Sequence, residues 1–347
     1  MNNEHFDWAV IGAGPAGIAA IGKLIDHDID PKKIAWIDPD FKVGDFGTKW
    51  TQVSSNTKVD LFNRFFHEVQ SFGYQNSPHF PIQECDPNKT CLLALAAEPL
   101  LWISDHLKTQ VNTFTTRVNK IQTHEGKWRL ALKTNTIEAN KVILAIGSEP
   151  NSLALPSVKE LPLTVALNPK QLAQTCQPED TIAVFGSSHS AIIIIRNLLE
   201  HTPVKKLINF YRSPLRYAVY LEDQILFDDT GLKGTTAEWA REHIDGTLPE
   251  ALTRVISNPE NLNQYLPECT HAIYATGFTR RAIPVEGLAQ LKYDDKTGII
   301  APGFFGFGIA FPEAKIDSLG NLEHRVGLWK FMDYLNRVLP IWLQDSL

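Results

Sequence analysis

Sulfur is scarce in this chain. Its 347 residues include four cysteines, Cys85, Cys91, Cys176 and Cys269, and two methionines. No two cysteines form a Cys-x-x-Cys pair, and five residues separate Cys85 from Cys91. A zinc-ligand spacing is therefore absent, and the thiols read as ordinary reduced cysteines. Positive charge is also in short supply. Thirty-three Lys and Arg face 39 Asp and Glu, a net charge of -6. That balance gives no electrostatic reason for a nucleic-acid or membrane partner. Long apolar runs are missing too. The run AIIII at 191–195 is far too short to span a bilayer, and the start MNNEHFD has no apolar signal core. A cytoplasmic protein is the expectation. Short-period repeats and low-complexity tracts are not visible. The remaining composition, 44% hydrophobic and 21% charged, is that of a globular chain, and the length suits about two domains.

What is present is a strand, a glycine turn and a helix, twice. Residues 7–20 read DWAVIGAGPAGIAA. The apolar run at 8–11 is a short buried strand. It leads into Gly12-Ala13-Gly14-Pro15-Ala16-Gly17, and Ile18, Ile21 and Ile25 then recur at helical spacing. Gly-x-Gly-x-x-Gly between strand and helix is a dinucleotide-binding arrangement. Gly12 permits the tight turn, Gly14 lets a pyrophosphate approach the backbone, and Gly17 lets helix and strand pack closely. Pro15 and Ala16 open the helix, whose N-terminus offers free N–H groups to the phosphates. A second strand, IAWID at 34–38, ends in Asp38, where a ribose-binding acid is expected. Asp40 competes for that role, and Asp38 would otherwise form the turn before Pro39.

Residues 181–200 read TIAVFGSSHSAIIIIRNLLE. A buried strand at 182–185 meets the loop Gly186-Ser187-Ser188-His189-Ser190-Ala191, and the isoleucines begin a helix that is apolar on most sides. The loop matches Gly-x-Gly-x-x-Ala except that Ser188 replaces the second glycine. A serine still allows close approach and adds a hydroxyl donor. The following strand, KLINFYR at 206–212, ends without an acid. Arg212, with Arg216, would accommodate a 2′-phosphate and so favours NADPH over NADH. The alternative is that both arginines are simply solvated.

Two further stretches complete the pattern. Residues 112–151 alternate as short strands, with turns at Glu125-Gly126 and near Asn135, before the buried run 142–146 and Gly147. THAIYATGF at 270–278 is a similar strand closing on Thr276-Gly277. This order resembles the two-dinucleotide-binding-domain flavoproteins. The resemblance implies an α/β fold of two Rossmann-like, three-layer domains, with an NAD(P)H domain at 153–281 inserted in an FAD domain at 1–152 and 282–347. It implies that Val118 contacts the adenine, and that Ala145, Gly147 and Gly277 line the nucleotides. Where such proteins carry Gly-Asp near the flavin ribityl chain, this chain has Gly308-Ile309, so backbone or another residue must take that contact. Residues 321–339, with Leu322, Val326, Trp329 and Met332, read as an amphipathic helix whose N-terminus faces the flavin pyrimidine.

In such proteins the flavin carries the chemistry and the chain decides what meets it. Disulfide reductases of this kind place a cysteine pair after the first unit or as Cys-x-x-Cys in the NADPH domain. This chain has neither. Instead DFGTKWTQVSSNTKVD at 45–60 resembles the flavin-containing monooxygenases and their N-hydroxylating relatives, through Gly47, Trp50 and the run Ser54, Ser55, Asn56, Thr57. The likeness implies that Trp50 lies at the cofactor and that Asn56 helps hold a flavin C4a-hydroperoxide. YATGF at 274–278 fits the same branch. The phenylalanine-glycine-histidine signature of those enzymes is missing from 161–180, so the relationship is a looser one. The expectation is an FAD-dependent, NADPH-using oxidoreductase of monooxygenase type, acting with O2 on a small molecule. A reductase with an acceptor such as a quinone is the first alternative, and a non-catalytic nucleotide-binding protein the second. Oligomeric state stays open, a homo-oligomer included, and 213–243 has no assigned role.

Overall fold

The structure, a computed structural model, describes residues 4–222, 224–288 and 291–345. The outermost ends of the first predicted domain, 1–3 and 346–347, lie outside it. Strand β1 (Glu4–Ile11) starts earlier than its apolar run, at the exposed Glu4, and runs into the first glycine loop. Helix α1 (Pro15–Asp26) follows, with proline in its first turn, where a missing N–H costs nothing. Next come β2 (Ile34–Asp38), the short pair β3 (Ser54–Lys58) and β4 (Thr90–Leu92), and α2 (Leu93–Lys108). After β5 (Asn112–Thr115) the chain makes a meander of β6 (Lys120–His124), β7 (Lys127–Ala131) and β8 (Thr136–Leu144). Glu125 and Gly126 both take positive φ, 49° and 72°, as a two-residue hairpin turn requires.

β1 lies between β2 and β8, parallel to both, and β5 extends the sheet beyond β2. The free side of β8 is shared. Its first half pairs antiparallel with β7, and its second half receives a later strand in parallel. The meander thus peels away from a parallel sheet whose strand ends remain together at one edge.

The inserted unit has its own parallel sheet. β9 (Thr181–Phe185) leads through the second glycine loop into α3 (His189–His201), then β10 (Lys206–Tyr211), α4 (Gly234–His243), β11 (Leu252–Ile256) and β12 (His271–Tyr274). The order is Lys159–Glu160, β12, β9, β10, β11. Parallel sheets are covered on both faces, which is why residues 182–185 are buried without alternation. This is the expected α/β architecture with two Rossmann-like sheets. Between the sheets the chain crosses twice. Ser148–Pro150 going out and Phe278–Arg280 coming back pair as an antiparallel ribbon.

The chain then supplies β13 (Phe304–Gly306) to the free half of β8, the hairpin β14 (Glu313–Ile316) and β15 (Leu322–Arg325), and helix α5 (Leu328–Gln344). Here the sequence reading needs correction. The helix expected from Asn321 begins only at Leu328. Gly327 breaks the chain at φ 143°, and Leu322 is an exposed strand residue, not part of a buried helical face. The helix also runs beyond Leu339, through Pro340. Its last turn is anchored by Trp342, which stacks on Phe305 at 4.8 Å and donates Nε1–H to the Thr297 carbonyl. Lys141 meets the carbonyls of Trp342 and Leu343, both at 2.8 Å. α5 buries Phe331, Met332, Tyr334, Leu335, Val338, Leu339 and Trp342 in the core shared with α1 and α2. At roughly 1.5–3 kcal/mol per fully buried large apolar side chain, this packing fixes α5 firmly. No helix among the described residues is long and apolar enough to cross a membrane.

Candidate functional site

The three glycines of the first loop are required for different reasons. Gly12 has φ 111°, and a Cβ there would collide with the Ala145 carbonyl; one on Gly17 would collide with the Gly12 carbonyl. Gly14 is different. A Cβ on it would meet only the Val43 carbonyl oxygen, at 4.0 Å. The protein leaves that space open, directly before the N-terminus of α1. This is the cradle a pyrophosphate needs, with free backbone N–H groups beyond it. Trp36 on β2 donates its indole N–H to the Gly12 carbonyl at 2.9 Å and holds the turn from below.

Asp38 is buried at the end of β2 and its carboxylate is already engaged. Oδ2 accepts from the Ala13 amide at 2.8 Å, and Oδ1 from the amides of Asp40 (2.8 Å) and Phe41 (2.7 Å). It therefore forms the turn and braces the loop. A carboxylate has about four lone-pair sites, so capacity for one more donor remains. Asp40 is exposed beside it. Gly308 (φ 79°) passes so close to Ala16 that a Cβ would clash, which brings Gly308–Ala310 to the first turn of α1. Ile309 next to it is exposed. Val118 is buried in the cluster around Ile121 and Trp128, two residues past Thr116, whose amide reaches the Asp38 carbonyl at 3.1 Å.

The second loop repeats the first. The Gly186 amide donates to the Phe210 carbonyl at 2.9 Å, as Gly12 does to Ile37 at 2.8 Å. Ala275 donates to Phe185 at 2.8 Å, as Ala145 does to Ile11 at 2.9 Å. Gly186 (φ 125°) leaves no room for a Cβ against the Ala275 carbonyl. Asn209 on β10 plays the part of Trp36, donating from Nδ2 to the Gly186 carbonyl at 2.8 Å. The Asn209 side-chain oxygen Oδ1 accepts in turn from Arg254 Nε at 2.9 Å. Neither Trp36 nor Asn209 was singled out from the sequence. Each lies two residues before the end of the strand that follows its loop, a correspondence only the paired loops reveal. Ser187 donates its hydroxyl to the Ser213 carbonyl at 2.8 Å, tying the loop to the end of β10. Ser188 and Arg212 are exposed there, while Arg216 lies over Phe227 at 5.4 Å.

β3 brings much of the remaining set together. Asn56 is half-buried, and its side-chain oxygen accepts from the Thr57 hydroxyl at 3.2 Å. Ser55 donates to the Thr57 carbonyl at 2.6 Å and accepts from the Cys91 amide at 3.2 Å. His189, heading α3, places Nε2 3.0 Å from the Ser54 carbonyl. Gly327, before the first turn of α5, lies against Thr57, so that a Cβ on it would be 4.0 Å from Oγ1. Trp50 meets Phe278 of the ribbon edge-on at 6.0 Å. Gly147 (φ 72°) and Gly277 (φ 99°) begin the two arms of that ribbon; the Arg281 amide donates to Gly147 and that of Asn151 to Gly277. β3 is thus met from two sides, by His189 of the second loop at Ser54 and by the residue before α5 at Thr57, next to Asn56.

A partly buried charge cluster joins α5 to the segment that had no assigned role. Lys330 of α5 meets Asp228 at 2.7 Å and also Asp229, while Lys233 meets Asp228. Glu323 accepts from the Asp229 amide at 2.6 Å and the Thr230 hydroxyl at 2.8 Å. Burial pushes the Asp228 carboxyl up, but Lys330 and Lys233 outweigh it and hold it below its ordinary value. At Asp229 burial prevails over Lys330, and its carboxyl is raised. Burial, with the Lys330 charge, lowers Lys233. Three of the thiols are inert, Cys91 next to β3 and two in the inserted unit. Burial, helped by the charge of Cys85, pushes the Cys91 thiol up to about 11, and burial does the same to Cys176 and Cys269. None is a thiolate at neutral pH. No group of His, Cys, Asp and Glu among the described residues could hold a metal ion.

The sequence profile of one family, described as Pyridine nucleotide-disulphide oxidoreductase, matches residues 6–201, more than half of the chain. The chain belongs to that family. It is an FAD-dependent oxidoreductase with the two-unit dinucleotide-binding fold that the sequence resemblance implied. Monooxygenase AgnR1 of Paecilomyces divaricatus is 34% identical over 96% of this pyridine nucleotide-disulphide oxidoreductase and 97% of the relative. Among solved structures, the ornithine N-hydroxylase of Kutzneria sp. 744 superposes with a TM-score of 0.66 and 12% identity, covering 98% of this chain and 99% of that one. The Bacillithiol Disulfide Reductase Bdr of Staphylococcus aureus does so with a TM-score of 0.64 and 12% identity, covering 98% of each. An N-hydroxylase and a disulfide reductase are thus similar to this chain to nearly the same degree, and these likenesses show the fold alone.

Proposed function

We propose that the chain binds FAD in the unit formed by 1–152 and 282–347, binds NADPH in the inserted 153–281, and acts as a monooxygenase-type oxidoreductase on a small molecule. The observation that carries this reading is the tie between β3 and the second glycine loop. His189 meets the Ser54 carbonyl two residues before the neutral amide of Asn56, and the neighbouring Cys91 thiol is pushed up to about 11. The 34% identity to a protein named a monooxygenase, over nearly the whole chain, supports it.

Gly12, Gly14, Pro15, Ala16 and Gly17 would hold the FAD pyrophosphate, with Ala145 and Gly147 beside them. Asp38, with Asp40, would take the ribose, and Val118 the adenine. The Gly308 backbone and the exposed Ile309 would flank the ribityl chain, Trp50 would close the far side, and the head of α5 would stabilise negative charge on the pyrimidine. The backbone of Gly186, Ser187, Ser188, His189 and Ser190 would hold the NADPH phosphates, Arg212 the 2′-phosphate, and Gly277 the strand end beside them.

FAD, held by these residues, would supply the redox chemistry between NADPH and O2. The chain supplies the surroundings. Asn56, Ser54 and Thr57 would offer neutral hydrogen-bonding groups that neither donate a strong acid proton nor attack as a thiol, while Ser55, its hydroxyl engaged with the Thr57 carbonyl and the Cys91 amide, braces the strand.

Stopped-flow spectroscopy tests the reading. NADPH is expected to reduce the flavin anaerobically, and oxygenated buffer to restore its spectrum only after a delay. Replacing Asn56 with alanine should shorten that delay about tenfold, the loss of one well-placed hydrogen bond. An unreducible protein would overturn the reading. Immediate reoxidation by O2, or faster reoxidation by a quinone, would favour the reductase. A delay unchanged in Asn56→Ala would remove Asn56 from its role.

A further inference from the structure

His189 turns from the second glycine loop toward β3. Its Nε2 lies 3.0 Å from the Ser54 carbonyl oxygen. A carbonyl can only accept, so Nε2 carries the hydrogen. Burial lowers the proton affinity of the ring, the Ser54 contact works against that, and the Lys233 charge adds to the lowering. A neutral ring protonated on Nε2 has a lone pair on Nδ1. That atom is shut off from solvent and has no hydrogen-bond partner among the described residues. Buried polar atoms in native proteins have partners, so this acceptor lacks a donor that something else must bring.

Its position says which part of the ligand brings it. Ser187 ties one side of the loop to Ser213 at the end of β10, beside Arg212. That side suits the adenosine 2′-phosphate. His189 faces the opposite way, onto the strand that carries Asn56 two residues beyond Ser54. With the flavin beside β3, as proposed above, a nicotinamide that hands it hydride lies on the His189 side. We propose that His189 Nδ1 accepts a hydrogen bond from the nicotinamide half of the pyridine nucleotide, from its carboxamide N–H or its ribose hydroxyl. The imidazole is then a strut, with the nucleotide on one nitrogen and β3 on the other. This rests on the NADPH reading above.

Two substitutions separate the nitrogens. His189→Gln keeps a donor near the Nε2 position and has no acceptor at Nδ1. His189→Asn keeps an acceptor near Nδ1 and gives up the reach to Ser54. In the FAD-loaded protein, titrated with NADP+ by calorimetry, the Gln variant is expected to bind roughly fivefold more weakly, the worth of one neutral hydrogen bond. The Asn variant should bind as the wild type does. The probe 2′,5′-ADP, which lacks the nicotinamide half, should bind all three equally. Nitrogen NMR of histidine-labelled protein should show His189 unprotonated at Nδ1, with that resonance moving when NADP+ is added. The inference is overturned by a Gln variant that binds NADP+ normally, by parallel losses for NADP+ and 2′,5′-ADP, or by a proton on Nδ1. A wild-type protein that binds neither probe overturns the nucleotide reading itself, and the strut with it.

Discussion

An alanine at position 14 would meet only the Val43 carbonyl, 4.0 Å from its methyl group, whereas one at position 17 would drive into the Gly12 carbonyl. The two substitutions should therefore fail differently. Gly14→Ala is expected to leave the melting temperature of the flavin-free protein unchanged while it releases FAD. Gly17→Ala should lower the stability of that same flavin-free protein by about 1–3 kcal/mol, through forced overpacking. Thermal melts with and without added FAD distinguish them, and equal destabilisation by both would refute the assignment of an open cradle to Gly14. At this scale the sequence was legible where the signal was local. The loop glycines and the strand ends were visible because they depend on neighbours a few residues away; Asn56 was marked only by the family resemblance. Trp36, Asn209 and the His189–Ser54 contact were not. Each is a side chain that finds its partner at long range, and no spacing encodes that.

Among the elements, α5 shows both sides of the same limit. Its apolar face was readable by period, but its start was not, because Gly327 interrupts a pattern that Leu322 and Val326 appear to continue on paper. The hairpin of β14 and β15 occupies those residues instead and is joined to α5 by charge. Glu313 receives Arg325 at 2.7 Å and Arg337 at 2.8 Å, and Arg325 also meets Asp333 at 2.8 Å. Burial pushes the Glu313 carboxyl up, but Arg337 and Arg325 outweigh it and hold it below its ordinary 4.5. Asp333 is held below 3.8 by the same arginines, against the same burial. A carboxyl lowered in the folded state adds stability above its unfolded pKa, and that stability is lost as pH falls through the folded value. Stability should therefore drop below about pH 4.5. Arg325→Met is expected to cost about 2 kcal/mol at neutral pH. It should also flatten the acid slope, as read from urea midpoints taken between neutral and acid pH. A slope as steep as the wild type's would show that other carboxylates govern it.

Across the whole molecule, two kinds of tie hold the sheets in one arrangement. One is the pair of crossing strands. The other is the cluster in which Lys330 and Glu323 grip residues 228–230 of the inserted unit. Removing one partner of a buried ion pair strands the other, so Lys330→Met should cost about 3 kcal/mol in urea unfolding, more than any loss of α5 packing predicts. A change below about 0.5 kcal/mol would mean that the cluster holds nothing. None of this was visible in the sequence, where 213–243 carried no motif. Its contacts depend on charges contributed about a hundred residues later.

The ribbon of Ser148–Pro150 and Phe278–Arg280 has one more consequence. Pro150 and Phe278 are direct partners across it, and opposed Cα atoms in such a pair are only about 5 Å apart. Everything between them leaves and re-enters the chain at a single point. In chain connection the smaller unit is therefore a cassette: a two-residue turn spans the distance between its ends, so the strand connections of the larger sheet do not depend on it, while its side-chain ties to β3 and α5 do the holding.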